Sequence, residues 1–166
     1  MTDLPQEKSD PAQSDAGGKT GPERDFQKQD WPYYWITRTS ARYLLAMEKR
    51  LKAAGLDVPR WRVLMTLYED EHLSVSEISE VCIIKLNTAT KIIQRMVADD
   101  LVTTRPRARD ARVTEVALTP KGDARRHEAH AIAEQVFAAS FGDFSVEEQV
   151  LLNAMLQRVF TSLEDV

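Results

Sequence analysis

The sequence has a single cysteine, Cys82, in 166 residues. One thiol cannot close an intrachain disulfide, so a disulfide-stapled scaffold is excluded. Long apolar runs are also missing: the longest, Tyr43–Met47, is five residues. A helix that crosses a bilayer needs roughly 20, so no membrane-spanning helix is expected. The opening MTDLPQEKSD carries acids where a secretory signal has a basic flank and an apolar stretch, and we expect a cytoplasmic protein. Enzyme motifs are absent as well. Gly18-Lys-Thr20 ends like a phosphate-binding loop, but Gln13 stands where its first glycine is needed. There is no G-x-S-x-G or G-x-G-x-x-G, and His127-Glu-Ala-His130 is one residue short of the zinc motif H-E-x-x-H. We therefore expect no catalytic residues, no cofactor and no metal site.

What the chain does have is an uneven charge distribution. The net charge is −4, which by itself argues against a polyanionic partner. Residues 1–30 carry seven acids against four bases, whereas residues 85–112 carry seven bases against three acids. That local basic stretch is the feature to explain.

Residues 1–30 hold three of the seven prolines and three of the six glycines, with few large apolar side chains. Such a segment buries too little surface to offset the entropy of ordering, and we read it as a disordered tail. Aromatic residues arrive together at Trp31, Tyr33, Tyr34 and Trp35, where the folded part should begin. Ile36, Ser40, Leu44, Met47, Leu51 and Ala54 then recur at helical spacing, which predicts a long amphipathic helix stopped at Gly55. Asp57 and Pro59 suit the start of a second helix, whose Trp61, Val63, Leu64, Leu67 and Tyr68 surround it and predict burial. Ser74-Val-Ser-Glu77 has capping-box spacing and opens a short helix with Ile78, Val81 and Cys82 inside. Ala89, Ile92, Ile93 and Met96 define a helix over about 87–100. Leu101–Pro106 and Arg112–Leu118 are rich in β-branched residues around a short polar segment, which predicts a β-hairpin. Thr119-Pro120 starts a helix to about Ser140. Ser145-Val-Glu-Glu148 starts the last one, with Val150, Leu151, Ala154, Met155, Val159 and Leu163 as its apolar stripe.

Two short helices joined by a tight turn and followed by a twisted hairpin form a helix-turn-helix with a wing. On the second helix, Asn87, Lys91 and Gln94 lie opposite the apolar face, flanked by Thr88, Thr90 and Arg95. Asn and Gln can pair with adenine, Lys with guanine or phosphate, and the Thr methyl can pack on thymine. The hairpin adds Arg105, Arg107, Arg109 and Arg112 near its tip, where a guanidinium can enter a narrow minor groove. Asp110 can pair with a neighbouring arginine and hold the loop.

The stretch Asp110-Ala-Arg112-Val-Thr-Glu-Val-Ala-Leu118-Thr-Pro-Lys-Gly122 resembles the wing motif D-x-R…v-x-L-T-x-x-G of the MarR family of transcriptional regulators. Asn87–Val102 is similar to the family's recognition helix and first wing strand, and Gly55-Leu-Asp-Val-Pro59 to its first helix–helix connection. The resemblance covers roughly residues 33–164. Asp100 departs from it, standing where the family often has Gly at the turn into the strand. The resemblance implies a mainly α fold with a small β-hairpin wing, in which a winged helix-turn-helix domain is joined to a helical dimerisation region. On that reading residues 1–30 are the tail, 31–56 and 120–166 the dimerisation region, and 57–119 the DNA-binding lobe. It also implies a homodimer on a double-stranded, pseudo-palindromic operator, with Arg112 as the minor-groove arginine and Asp110 its partner.

Relatives in the family commonly bind a small effector that releases them from DNA. Tyr34, Arg38, Arg42 and Trp61 could line such a pocket, arginine meeting a carboxylate and the aromatics stacking on a ring. An aromatic acid or its thioester would suit. Two alternatives stay open: a redox-responsive regulator acting through Cys82, and a helical ligand- or partner-binding dimer that does not read DNA.

Overall fold

Helix boundaries in the computed structural model follow local capping chemistry. The structure describes residues 27–70 and 72–164, and the chain divides into two units, residues 1–36 and 37–166. Most of the expected tail, residues 1–26, lies outside the described residues. Within its last described residues, Lys28–Asp30 form a 3₁₀ turn. The Trp35 indole N–H donates to the Gln29 carbonyl (3.0 Å) and the Lys28 ammonium lies 5.8 Å from the Tyr34 ring centroid. The aromatic cluster thus orders the residues just before it.

Helix α1 runs Pro32–Ala53 and α2 Val58–Glu69, the latter capped by Asp57, whose carboxylate accepts from the Arg60 N–H (2.8 Å). Strand β1 is Leu73–Ser74, α3 Val75–Val81 and α4 Leu86–Ala98. Strands β2, Val102–Arg107, and β3, Asp110–Leu118, form the hairpin. Helices α5, Pro120–Phe141, and α6, Val146–Ser162, complete the order. Both expected capping boxes form, at Ser74/Glu77 and Ser145/Glu148.

Three helices end in one way. After α1 the Leu56 N–H reaches back to Leu51 O (2.9 Å), after α3 Ile84 to Ser79 (3.0 Å), and after α4 Leu101 to Met96 (2.8 Å). This six-to-one bond needs a left-handed residue just before the donor. Gly55 (φ 68°), Ile83 (φ 51°) and Asp100 (φ 58°) take that place. Asp tolerates the left-handed region through its short polar side chain, so Asp100 makes this turn without a glycine.

The sheet is antiparallel in the order β1-β3-β2. The β1 strand escaped the sequence reading because a two-residue strand has no periodicity, only a partner: Leu73 pairs with Val116 and Ser74 with Glu115. In the hairpin Arg105 pairs with Glu115 and Pro106 with Thr114, after which the register jumps and Arg107 pairs with Asp110.

The core draws Met47 and Leu51 from α1, Leu64 and Leu67 from α2, Ile78 from α3, and Ile92, Ile93 and Met96 from α4. Val102 and Val116 close it from the sheet, Ala129 and Val136 from α5. Three burial expectations are corrected. Val81 is 61% exposed, because the buried face of α3 is centred on Ile78, Ser79 and Cys82, about 100° around the helix from it. Tyr68 is exposed: its ring carries the buried Arg126 guanidinium 4.1 Å from its centroid instead of joining the core. The apolar stripe of α1 is buried only from Met47 onward. No α6 residue is buried, and Val150, Leu151, Met155, Val159 and Leu163 all face outward.

Candidate nucleic-acid interface

One face of α4 is committed to the core. Ala89, Ile92, Ile93 and Met96 are buried there, and on the other side Asn87, Thr88, Lys91, Gln94 and Arg95 are exposed. Thr90 is half-buried, and its hydroxyl donates to the Leu86 carbonyl one turn back (2.8 Å). Arg95 donates from Nε to the Lys91 carbonyl (3.3 Å), which lays its stem along the helix. The outward face is polar and cationic, with side chains suited to base edges and phosphates.

The wing arginines divide into two kinds. Arg112 is 90% exposed, yet its geometry is fixed. Asp110 accepts from its backbone N–H (3.1 Å), from Nε (3.0 Å) and from Nη2 (3.1 Å). The forked contact holds the Asp110 carboxyl below its usual range, chiefly through the Arg112 side chain and then its N–H. Arg109 stands exposed in the two-residue turn at the tip. Arg105 and Arg107 are instead paired with carboxylates, Arg105 while exposed and Arg107 while half-buried. Arg105 donates to Glu115 (3.1 Å), and Arg107 bridges Glu115 (2.9 Å) and Glu77 on α3 (2.6 Å).

Glu77 and Glu115 are the carboxylate partners of these arginines, which sequence reasoning missed. Glu115 becomes legible once the hairpin register places it opposite Arg105. Glu77 carries no local signal beyond its capping box, since Arg107 lies thirty residues away. Its pKa is lowered to about 2, first by the Arg107 hydrogen bond and then by the Ser74 N–H.

The wing motif has a backbone reason as well. Thr119 caps α5 by accepting from the Gly122 N–H (2.9 Å), while its hydroxyl donates to the Asp100 carbonyl (2.7 Å). The start of α5 is thereby tied to the turn that leaves α4.

The four expected effector residues stand on or beside the first two helices. Tyr34 belongs to the first unit, and Arg38 and Arg42 are exposed on α1. Trp61 is half-buried; its ring meets Tyr43 edge-on (6.1 Å between centroids), and its buried Nε1 has no hydrogen-bond partner among the described residues. A groove of about 480 Å³ lies beyond Tyr43, bounded by Met65, His130, Phe137 and Phe141. Cys82 is buried, with its Sγ 3.6 Å from the Thr66 hydroxyl.

Comparison with known proteins places this geometry. Residues 54–113 match the MarR family. Over 140 residues, 84% of either chain, the sequence is 44% identical to the HTH-type transcriptional repressor IacR of Pseudomonas putida. A MarR-family regulator from Silicibacter pomeroyi superimposes with a TM-score of 0.75 at 20% identity, covering 82% of this chain and 92% of that one. A mutant of MarR from E. coli, solved in complex with operator DNA, gives 0.70 at 19% identity, covering 80% and 96%. BpsR of Bordetella bronchiseptica, solved to explain regulation of its DNA binding by 6-hydroxynicotinic acid, gives 0.71 at 22%, covering 81% and 96%. With its winged helix, its D-x-R wing and this extent of sequence identity, the chain belongs to the MarR family.

Proposed function

We propose that this protein is a transcriptional repressor that binds a pseudo-palindromic DNA operator as a homodimer and is released by a small effector. The observation that carries the reading is the exposed polar face of α4 together with a wing arginine that Asp110 holds by three contacts. Asn87, Thr88, Thr90, Lys91, Gln94 and Arg95 would address the major groove, and Arg109 and Arg112 the flanking minor groove and phosphates. The relative's description as a repressor and the neighbour solved on operator DNA support it.

The outward apolar stripe of α6 supports the dimer, since an apolar face with no core to cover calls for a partner. A two-fold axis would set the recognition helices one DNA turn apart, ~34–36 Å. Residues 57–119 would then be the DNA-reading lobe, and residues 31–56 with 120–166 the dimerisation region.

The effector proposed is an aromatic acid or its thioester, bound by Tyr34, Arg38, Arg42 and Trp61. The buried Trp61 N–H without an acceptor supports a ligand oxygen there, as does the aromatic acid named for BpsR. The effector would act through its differential affinity for DNA-competent and incompetent dimers.

The test is a fluorescence-polarisation titration against the duplex upstream of the protein's own coding region, at two salt concentrations, with Arg112→Ala alongside. Tight, salt-sensitive binding that the variant loses is expected. Equal, weak binding of both proteins to that duplex and to random DNA would remove the reading. Aromatic acids titrated into the complex should release wild type, and Trp61→Phe should bind DNA but resist release.

A further inference from the structure

Arg107 is in the wing and basic, which by charge alone marks it for phosphate. Its contacts say otherwise. Nε donates to Glu115 Oε1 (2.9 Å) and Nη2 to Glu77 Oε2 (2.6 Å). The same Glu77 oxygen also accepts the Ser74 N–H (2.6 Å), closing the capping box of α3. One carboxylate oxygen therefore joins the start of α3 to the wing. The far end of the link matters as much. Arg107 sits where the hairpin register breaks, and its partner across the ladder is Asp110, the residue that grips Arg112. On the other side, α3 packs against the recognition helix α4. A hairpin tip beyond a bulge is otherwise held only by its own two strands, which is a weak constraint.

We propose that Glu77 is a positioning residue for DNA binding: through Arg107 it ties the wing tip to α3 and so fixes where Arg112 stands relative to the recognition helix. The inference rests on the DNA-binding reading above. It assigns Arg107 to the architecture of the wing rather than to DNA, and it gives an acidic residue a favourable part in binding a polyanion.

That last point sets the sign of the test. Electrostatics alone says that removing an acid from the DNA-facing lobe tightens binding. Loss of the clamp weakens it. Glu77→Gln separates the link from the cap, because Gln at the same position also closes a capping box, whereas its neutral amide gives up the ion pair. Affinities for the operator duplex would be measured by fluorescence polarisation for wild type, Glu77→Gln, Arg107→Gln, Arg112→Ala and the double variant Glu77→Gln/Arg112→Ala. Thermal melts would accompany each, and Arg107→Gln leaves the α3 cap untouched should Glu77→Gln fold poorly.

We expect Glu77→Gln and Arg107→Gln each to weaken binding by about tenfold with an unchanged salt slope, and Glu77→Gln to cost nothing further once Arg112 is gone. Binding by Glu77→Gln as tight as wild type or tighter would overturn the proposal. So would losses from Glu77→Gln and Arg112→Ala that multiply, or a salt slope for Arg107→Gln that falls by about 0.9, the mark of a direct phosphate contact. If wild type itself ignores the duplex, the DNA-binding reading fails and takes the clamp's function with it. A clamp failure alone leaves wild-type binding intact.

Discussion

Gly122 faces the backbone of Leu101 so closely that a Cβ on it would stand 1.8 Å from the Leu101 carbonyl oxygen. That oxygen already accepts the Thr119 N–H (3.1 Å), so neither strand end nor helix start can yield. The glycine of the L-T-x-x-G motif is thus a packing requirement between α5 and the α4–β2 turn.

Gly122→Ala should accordingly cost about 3 kcal/mol or more, at the upper end of overpacking penalties. Urea unfolding would read it as a lower midpoint. An unchanged midpoint would show that the two backbones can separate cheaply.

Asp110→Ala frees a guanidinium that is already exposed, so the variant should melt as wild type does. DNA affinity should fall by roughly tenfold because Arg112 must then be ordered on binding. The pair of measurements, a melt and a polarisation titration, separates the two effects. Loss of affinity as large as that of Arg112→Ala would mean that Arg112 is useless unless gripped.

Glu77 supplies a pH prediction. Its folded pKa of about 2 lies below the ordinary 4.5, so its contribution is complete above the unfolded value and is lost as pH falls toward the folded one. The melting-temperature gap between wild type and Glu77→Gln should be constant from pH 8 to about 5 and close between about 4.5 and 2. A gap that closes above pH 5 would mean that the carboxylate is not held by Arg107 in solution.

Ile83 is 71% exposed in a left-handed conformation that a β-branched residue adopts at a cost of about 1–2 kcal/mol. Ile83→Gly relieves that strain, gives up little packing and pays some chain entropy. We expect a net gain of roughly 0.5 kcal/mol, read as a higher urea midpoint. A loss would show that the isoleucine side chain is covered in the assembled protein.

Leu151→Asp places a charge in the outward stripe of α6. Light scattering should show dimers giving way to monomers, with a melting temperature that depends on protein concentration. Unaltered dimers would move the interface elsewhere.

Much of this protein was legible in one dimension. Helix starts at Asp57, Ser74, Thr119 and Ser145 come from side chains that cap their own backbones three residues on. The core face of α4 follows from spacing along a single helix. These signals are local, and a sequence carries them whole. Tertiary structure decided the rest. Whether Val81 is buried depends on which way a seven-residue helix rolls on its neighbours, and β1 exists only because β3 is beside it. Arg107 and Arg112 are alike in composition and five residues apart, yet one reaches Glu77 and the other points outward. The reason is the register jump after Pro106, which brings Arg107 opposite Asp110 and sends neighbouring side chains to different tasks.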